Sequence, residues 1–132
     1  MTGETNLDLL LRGLSAREVP GEYVFATVPS DTDTSAIPAR MTFQEAEGTT
    51  LILLRQEAEK LGIAFEFPCK MITLEIHSSL EAVGFLARIT AALAAKGMGV
   101  NPVSGFFHDH LFVPVDRVDD ALAVLAELAK ST

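Results

Sequence analysis

A change of hydrophobic period near the middle of the chain constrains its fold more than any other feature. From Met71 to His77 apolar residues alternate with polar ones, which is the pattern of a half-buried strand. From Val83 to Leu93 apolar residues recur every three or four positions, which predicts an amphipathic helix ending at Gly97. Ser78 and Glu81 match a capping box, so we expect this helix to begin near Ser78. A strand therefore leads directly into a helix.

Two further strands and a final helix follow this pair. Val100–Phe107 and His110–Val115 have strand composition, and His108-Asp109 between them predicts a hairpin turn. Asp116 is expected to cap the last helix, whose buried stripe would run from Val118 to Ala129. The predicted order after Cys69 is β-α-β-β-α.

The first half of the sequence predicts a similar set of elements. A helix capped by Asn6 opens it, and Pro20-Gly21 is expected to form a turn before the first strand. Pro68 is expected to end the last strand because it cannot donate to a ladder. The predicted elements are a helix at Asn6–Leu14, strands at Tyr23–Val28, Met41–Glu45 and Thr49–Leu54, a helix at Arg55–Leu61 and a strand at Ile63–Phe67.

The element order predicts an α+β fold built from two related halves. Each half reads as a βαββαβ unit that lacks one terminal strand. We place the boundary at Pro68-Cys69, which gives domains at residues 1–68 and 69–132. Two incomplete units can complete one another, and neither is expected to fold well alone.

Charge and cysteine content exclude several classes of function. The chain has 10 Lys and Arg against 18 Asp and Glu, a net charge of -8, which argues against nucleic acid and anionic membrane partners. Cys69 is the single cysteine, so an internal disulfide and a cysteine-rich metal site are excluded. No signal-peptide pattern and no apolar run of about 18 residues occurs, and we expect a cytoplasmic protein.

Several segments resemble a known family. The run from Ile72 to Ala87 resembles the first strand, loop and helix start of an ACT domain, and Gly99-Val100-Asn101 is similar to the start of its second strand. Gly105–Pro114 resembles the hairpin of small bacterial proteins made of two ACT-like halves, and Glu45–Thr50 resembles their first half.

The resemblance implies a fold and a class of function. The fold is a pair of ferredoxin-like βαββαβ modules with antiparallel sheets side by side and helices on one face. The function is regulatory and allosteric: a non-catalytic tandem ACT protein binds a free amino acid at an ACT–ACT interface. The implied partners are a free amino acid, a second copy in a homodimer and an unknown downstream protein.

A free amino acid needs donors for its carboxylate and acceptors for its ammonium group. The helix N-terminus after the predicted strand offers N–H donors, Gly84 permits close approach, and Glu81 and Asp109 offer acceptors. Asn101 would reach the ligand only across an interface with another ACT module. The alternative is that Gly84 only packs and Ser78 and Glu81 only cap. The candidate ligand-binding residues are Ser79, Leu80, Glu81, Ala82, Val83, Gly84, Phe85, Asn101, His108, Asp109 and His110.

Two other functions stay open. His77, His108 and His110 are expected at one sheet edge, where three histidines and a water could hold zinc in a metal-dependent enzyme. The simpler reading is that they are turn residues, and we predict no metal and no cofactor. The sequence has no Gly-x-Ser-x-Gly elbow and no glycine-rich phosphate loop, so no catalytic residue is predicted. The chain could also be a ligand-independent interaction or dimerisation module.

Overall fold

The computed structural model describes residues 3–132 and divides the chain into two compact units. Of the described residues, unit 1 contains 3–20 and Lys70–Thr132, and unit 2 contains Gly21–Cys69. Unit 1 is therefore built from two segments that are separate in the sequence, whereas unit 2 is one continuous segment. The division of the sequence into domains at residues 1–68 and 69–132 stays a prediction.

Runs of consecutive antiparallel strands are interspersed with helices, which is the pattern of an α+β fold. Strands β1 and β4 contribute residues to both units. A short 3₁₀ helix at Val115–Arg117 precedes the last helix. The remaining elements are α1 (Leu7–Arg12), β1 (Ala16–Val28), β2 (Ala39–Gln44), β3 (Thr49–Leu54), α2 (Arg55–Leu61), β4 (Glu66–Leu74), α3 (Phe85–Ala94), β5 (Asn101–Ser104), β6 (Asp109–Pro114) and α4 (Val118–Lys130).

Unit 1 has the strand order β1-β4-β6-β5, with β5 antiparallel to β6. This is the order of a ferredoxin-like βαββαβ module in which β1 serves as the fourth strand. Helix α1 begins as predicted, because Asn6 Oδ1 accepts a hydrogen bond from the Leu9 N–H at 3.1 Å. The core joins buried residues of β4, β6 and the three helices, including Leu10, Leu11, Ile72, Leu74, Ile89, Leu93, Leu111, Val113 and Leu125.

Unit 2 has the strand order β2-β3-β1-β4. Strand β1 pairs with β3 in an antiparallel register from Tyr23 opposite Leu54 to Val28 opposite Thr49. Helix α2 covers the buried side chains of β1 and β3 through Ala58, and it ends at Gly62 as predicted, where φ is +67°. Residues 29–38 between β1 and β2 form turns and no helix.

The predicted strand breaks at prolines are wrong. Strand β1 begins at Ala16, so Pro20-Gly21 lies inside it, and Gly21 takes a φ of +104°. The two strands predicted on either side of Pro68 are one strand, β4, which ends at Leu74. A proline in a strand removes only one donor, and its fixed φ fits extended backbone. Tertiary pairing therefore outweighs these local signals.

The capping box at Ser78 and Glu81 is also wrong. Helix α3 begins at Phe85, and the Ser78 hydroxyl donates to Asp109 Oδ2 at 3.0 Å instead of capping a helix. The predicted stripe is shifted as well, since Val83 is 84% exposed and Phe85 is buried. The segment that links β4 to α3 is therefore an extended loop over residues 75–84.

The hairpin turn and the last cap differ from the prediction too. The turn covers residues 105–108, closed by a hydrogen bond from the Gly105 N–H to the His108 carbonyl at 2.9 Å. Asp109 is already in β6, opposite Ser104. Helix α4 begins after Arg117, which has no side-chain cap, so Asp116 does not cap it.

Candidate ligand-binding site in unit 1

Helix α3 begins with a bare N-terminus. Its N-cap residue is Gly84, which has a φ of +91° and no side chain to accept from the first turn. The N–H groups of the first three residues, Phe85, Leu86 and Ala87, have no acceptor within the helix. They carry the partial positive charge of a helix N-terminus.

Asp109 lies at the start of β6 and is 7% exposed. Its two carboxylate oxygens accept hydrogen bonds from two serines, Ser78 Oγ at 3.0 Å and Ser104 Oγ at 2.7 Å. A buried carboxylate needs such donors. Asp109 therefore links the loop after β4 to the end of β5.

The loop after β4 is held in place by the N-terminal segment of the chain. The Glu4 N–H donates to the His77 carbonyl, and the Ser79 N–H donates to the Glu4 carbonyl, both at 2.9 Å. Within the loop, Ser79 Oγ accepts from the Glu81 N–H at 3.1 Å, and the Ser79 carbonyl accepts from the Ala82 N–H at 3.0 Å. These bonds give the loop a defined shape.

A cavity of about 180 Å³ lies between this loop, the first turn of α3 and the β5–β6 hairpin. Its walls combine small side chains with the buried carboxyl group. The predicted residues that line it are Ser79, Leu80, Ala82, Gly84, Phe85 and Asp109. The lining residues that the sequence did not single out as ligand contacts are Ser78, Leu86, Ala87, Ser104 and Gly105.

The other predicted site residues lie outside the cavity lining. Glu81 and Val83 are exposed on the loop, and Asn101 is exposed at the start of β5. His108 lies in the hairpin turn, and His110 Nδ1 lies 3.0 Å from Thr73 Oγ1 of β4. The correct turn position would have indicated Ser104 and Gly105, because Ser104 faces Asp109 in the hairpin ladder.

The three histidines do not form a metal site. The His77 ring is tilted by 54° against the Phe107 ring, with centroids 5.5 Å apart, and the His108 and His110 rings lie 6.5 Å apart. In residues 3–132, no three His, Cys, Asp or Glu side chains are grouped to hold a metal ion. His77 Nε2 is buried and has no hydrogen-bond partner in this part of the chain.

Exposed apolar side chains lie on the two segments that form the cavity. Leu80 is 66% exposed and Val83 84% exposed on the loop, while Phe106 and Phe107 of the hairpin turn are 62% and 60% exposed. The two phenylalanine rings contact each other edge to face, with centroids 5.0 Å apart. The loop and the turn thus present apolar surface to solvent.

The thiol of Cys69 does not have the environment of a nucleophile. Cys69 is fully buried in unit 2, and its Sγ donates to the Tyr23 carbonyl at 3.4 Å. Burial, with a smaller contribution from the nearby Glu22 carboxylate, raises the pKa of Cys69 to about 12. A nucleophilic cysteine requires the opposite shift.

Comparison with known families decides what the fold represents. A model described as an ACT domain matches residues 2–70, and a second ACT domain model matches residues 66–127. The chain belongs to the ACT domain family. It carries two ACT domains in tandem, so the resemblance noted in the sequence is confirmed. ACT domains are regulatory modules, and this chain is a regulatory ACT protein.

Solved structures agree with the ACT assignment. A Vibrio cholerae protein of unknown function, described as a possible transport protein, is 38% identical over 93% of this chain and 95% of its own, with a TM-score of 0.85. An Agobacterium tumefaciens protein is 16% identical over 88% and 89% of the two chains, with a TM-score of 0.76.

The regulatory subunit of aspartate kinase from Thermus thermophilus, in a ligand-free form, has the same fold. It is 10% identical over 86% of this chain and 95% of its own, with a TM-score of 0.63. These similarities confirm the predicted ferredoxin-like fold class of the ACT protein. No curated protein matches the chain. No helix in residues 3–132 is long and apolar enough to cross a membrane.

Proposed function

We propose that this ACT protein is a non-catalytic, cytoplasmic sensor that binds a free amino acid in the cavity of unit 1. The observation that carries the proposal is that one small cavity has the bare first turn of α3 on one wall and the buried Asp109 carboxyl group on another. An amino acid is a zwitterion, so its site needs hydrogen-bond donors for the carboxylate and acceptors for the ammonium group.

The two charged groups of the ligand would use different walls. Its carboxylate would accept from the N–H groups at the start of α3, where the helix dipole favours negative charge. Its ammonium group would donate to Asp109. An ionised carboxylate has about four acceptor positions, and Ser78 and Ser104 use two of them.

We also propose that two copies of the chain meet at this site. The exposed side chains of Leu80, Val83, Phe106 and Phe107 support this, because apolar surface beside a ligand cavity is suited to a protein interface. A ligand at an interface between two ACT modules changes the stability of the homodimer, and by linkage the dimer changes the ligand's affinity. A downstream protein would respond to that change.

The test is a thermal-shift screen of the twenty amino acids at millimolar concentration, followed by titration calorimetry on each hit. A ligand at 100 times its Kd adds about 2.7 kcal/mol, which raises the Tm by about 10 °C in a chain of this size. Asp109→Asn should weaken binding at least tenfold. Asp116→Asn, which neutralises an exposed carboxylate, is the matched control. A flat screen on folded protein would contradict the proposal.

The second candidate is a ligand-independent dimerisation module. The exposed Phe106–Phe107 pair favours it, since solvent-exposed aromatic residues are typical of protein interfaces. Sedimentation velocity without ligand separates the two functions. A tight dimer that no amino acid stabilises, and that Phe107→Ser dissociates, would favour this candidate.

A further inference from the structure

The cavity also indicates which amino acids it accepts. We infer that the site in unit 1 selects small amino acids with uncharged side chains, of the size of alanine, serine or threonine. This inference rests on the proposed function, since it concerns the ligand of the same cavity. It is argued from the volume, the charge and the hydroxyl groups of the walls.

The volume limits the size of the ligand. The cavity of about 180 Å³ has roughly the space of six water molecules. Pockets that bind drug-sized molecules are typically about 300–1,000 Å³. Small residues form much of the wall, among them Ala82, Ala87 and Gly105, and Phe85 is buried and closes one side. Because the cavity is partly open to solvent, the side chains of tryptophan, tyrosine and arginine would extend out of this space once the zwitterion is in place, and only a small side chain would be held by the walls.

The charge of the cavity walls disfavours ligands with acidic side chains. Among the described residues that line the cavity, Asp109 is charged and none is Lys, Arg or His. The carboxylate of an aspartate or glutamate side chain would lose water and lie near Asp109, with no basic side chain on the walls to pair with it. Like charges in such a site repel one another, so these ligands bind more weakly than uncharged ones.

The hydroxyl groups permit a short polar side chain. Ser78 and Ser104 use their protons on Asp109, but each hydroxyl oxygen still has lone pairs that can accept. A serine or threonine side chain can donate to such an oxygen, and an alanine side chain needs no partner. Both are compatible with the same walls.

The experiment is titration calorimetry of the full chain with alanine, serine, threonine, aspartate, glutamate, lysine and phenylalanine. We expect at least one of the first three to bind at least tenfold tighter than any of the other four. Equal or tighter binding of any of the other four would overturn this inference and leave the proposed amino acid site intact. If none of the seven binds, this inference is overturned, and if none of the twenty amino acids binds, the proposed function is overturned as well.

A pair of variants tests the role of wall charge directly. Ala87→Lys places a cation on the lining of the cavity, whereas Ala91→Lys places it one turn further along the exposed side of α3 at the same net charge. Aspartate affinity should rise at least tenfold in Ala87→Lys and change less than twofold in Ala91→Lys. Equal effects in both variants would mean that overall charge decides, which contradicts the inference.

Discussion

The two serine hydrogen bonds of Asp109 give a prediction about stability. We expect the burial of each serine, and not the length of its hydrogen bond, to decide how much it stabilises the fold. Ser104 Oγ makes the shorter bond, at 2.7 Å against 3.0 Å for Ser78 Oγ. Ser104 is exposed, however, whereas Ser78 is only 9% exposed. Both serines line the cavity, but Ser78 is the more buried of the two, so water replaces the Ser104 hydroxyl more readily than the Ser78 hydroxyl when either is removed.

The expected magnitudes follow from the charge of the acceptor. A hydrogen bond to a charged group contributes about 1.5–3 kcal/mol to stability. A buried carboxylate that loses such a bond, with no water to replace it, is left with the desolvation penalty of an unpaired group. Ser78→Ala should therefore lower the free energy of unfolding by about 2 kcal/mol, and Ser104→Ala by about 0.5 kcal/mol. For a chain of 132 residues these values correspond to Tm decreases of about 8 °C and about 2 °C.

Urea denaturation of the ligand-free protein is the measurement, with both substitutions repeated in an Asp109→Asn background. The neutral amide makes weaker hydrogen bonds, so the effect of Ser78→Ala should fall to half or less there. Two results would refute the reasoning. One is a Ser104→Ala effect equal to or larger than that of Ser78→Ala, and the other is a Ser78→Ala effect that Asp109→Asn leaves unchanged.

Three further predictions concern Cys69 and two histidines. The raised pKa of Cys69 means that the folded thiol keeps a proton that the unfolded thiol loses, so stability should fall as pH rises from about 9 towards 12. Urea denaturation should show this fall, and Cys69→Ala should lack it. His77→Phe removes the unpaired Nε2 and should stabilise the fold by about 1 kcal/mol in the same assay. His110→Phe, which loses the contact with Thr73, should destabilise it.

Local signals predicted those elements that local chemistry determines. Asn6 caps α1 as predicted, and Gly62 ends α2 because its left-handed backbone follows directly from the residue type. The predictions at Pro20 and Pro68 are wrong because a strand that pairs with distant residues tolerates the loss of one backbone N–H donor. The propensity of a residue reflects its neighbours within a few positions. The hydrogen-bond ladders of β1 and β4 join residues that are far apart in the sequence.

The candidate site was predictable to the extent that it depends on the segment before α3. The loop residues from Ser79 to Phe85 are adjacent in sequence to a strong helix pattern, and most of them line the cavity. The sequence predicts Ser78 as a helix cap because its hydrogen-bond partner, Asp109, lies 31 positions away and gives no local signal. The sequence places the histidines of the hairpin near the ligand because it predicts the turn at residues 108–109, whereas the turn covers residues 105–108.

The discontinuity of unit 1 has a consequence for synthesis on the ribosome. Gly21–Cys69 is consecutive in the chain, so unit 2 can begin to fold soon after Cys69 leaves the exit tunnel. Unit 1 needs residues 3–20 and everything from Lys70 onward. Helix α1, with the buried Leu10 and Leu11, must therefore wait exposed until α4 has been translated. During that interval the nascent chain presents apolar residues to chaperones.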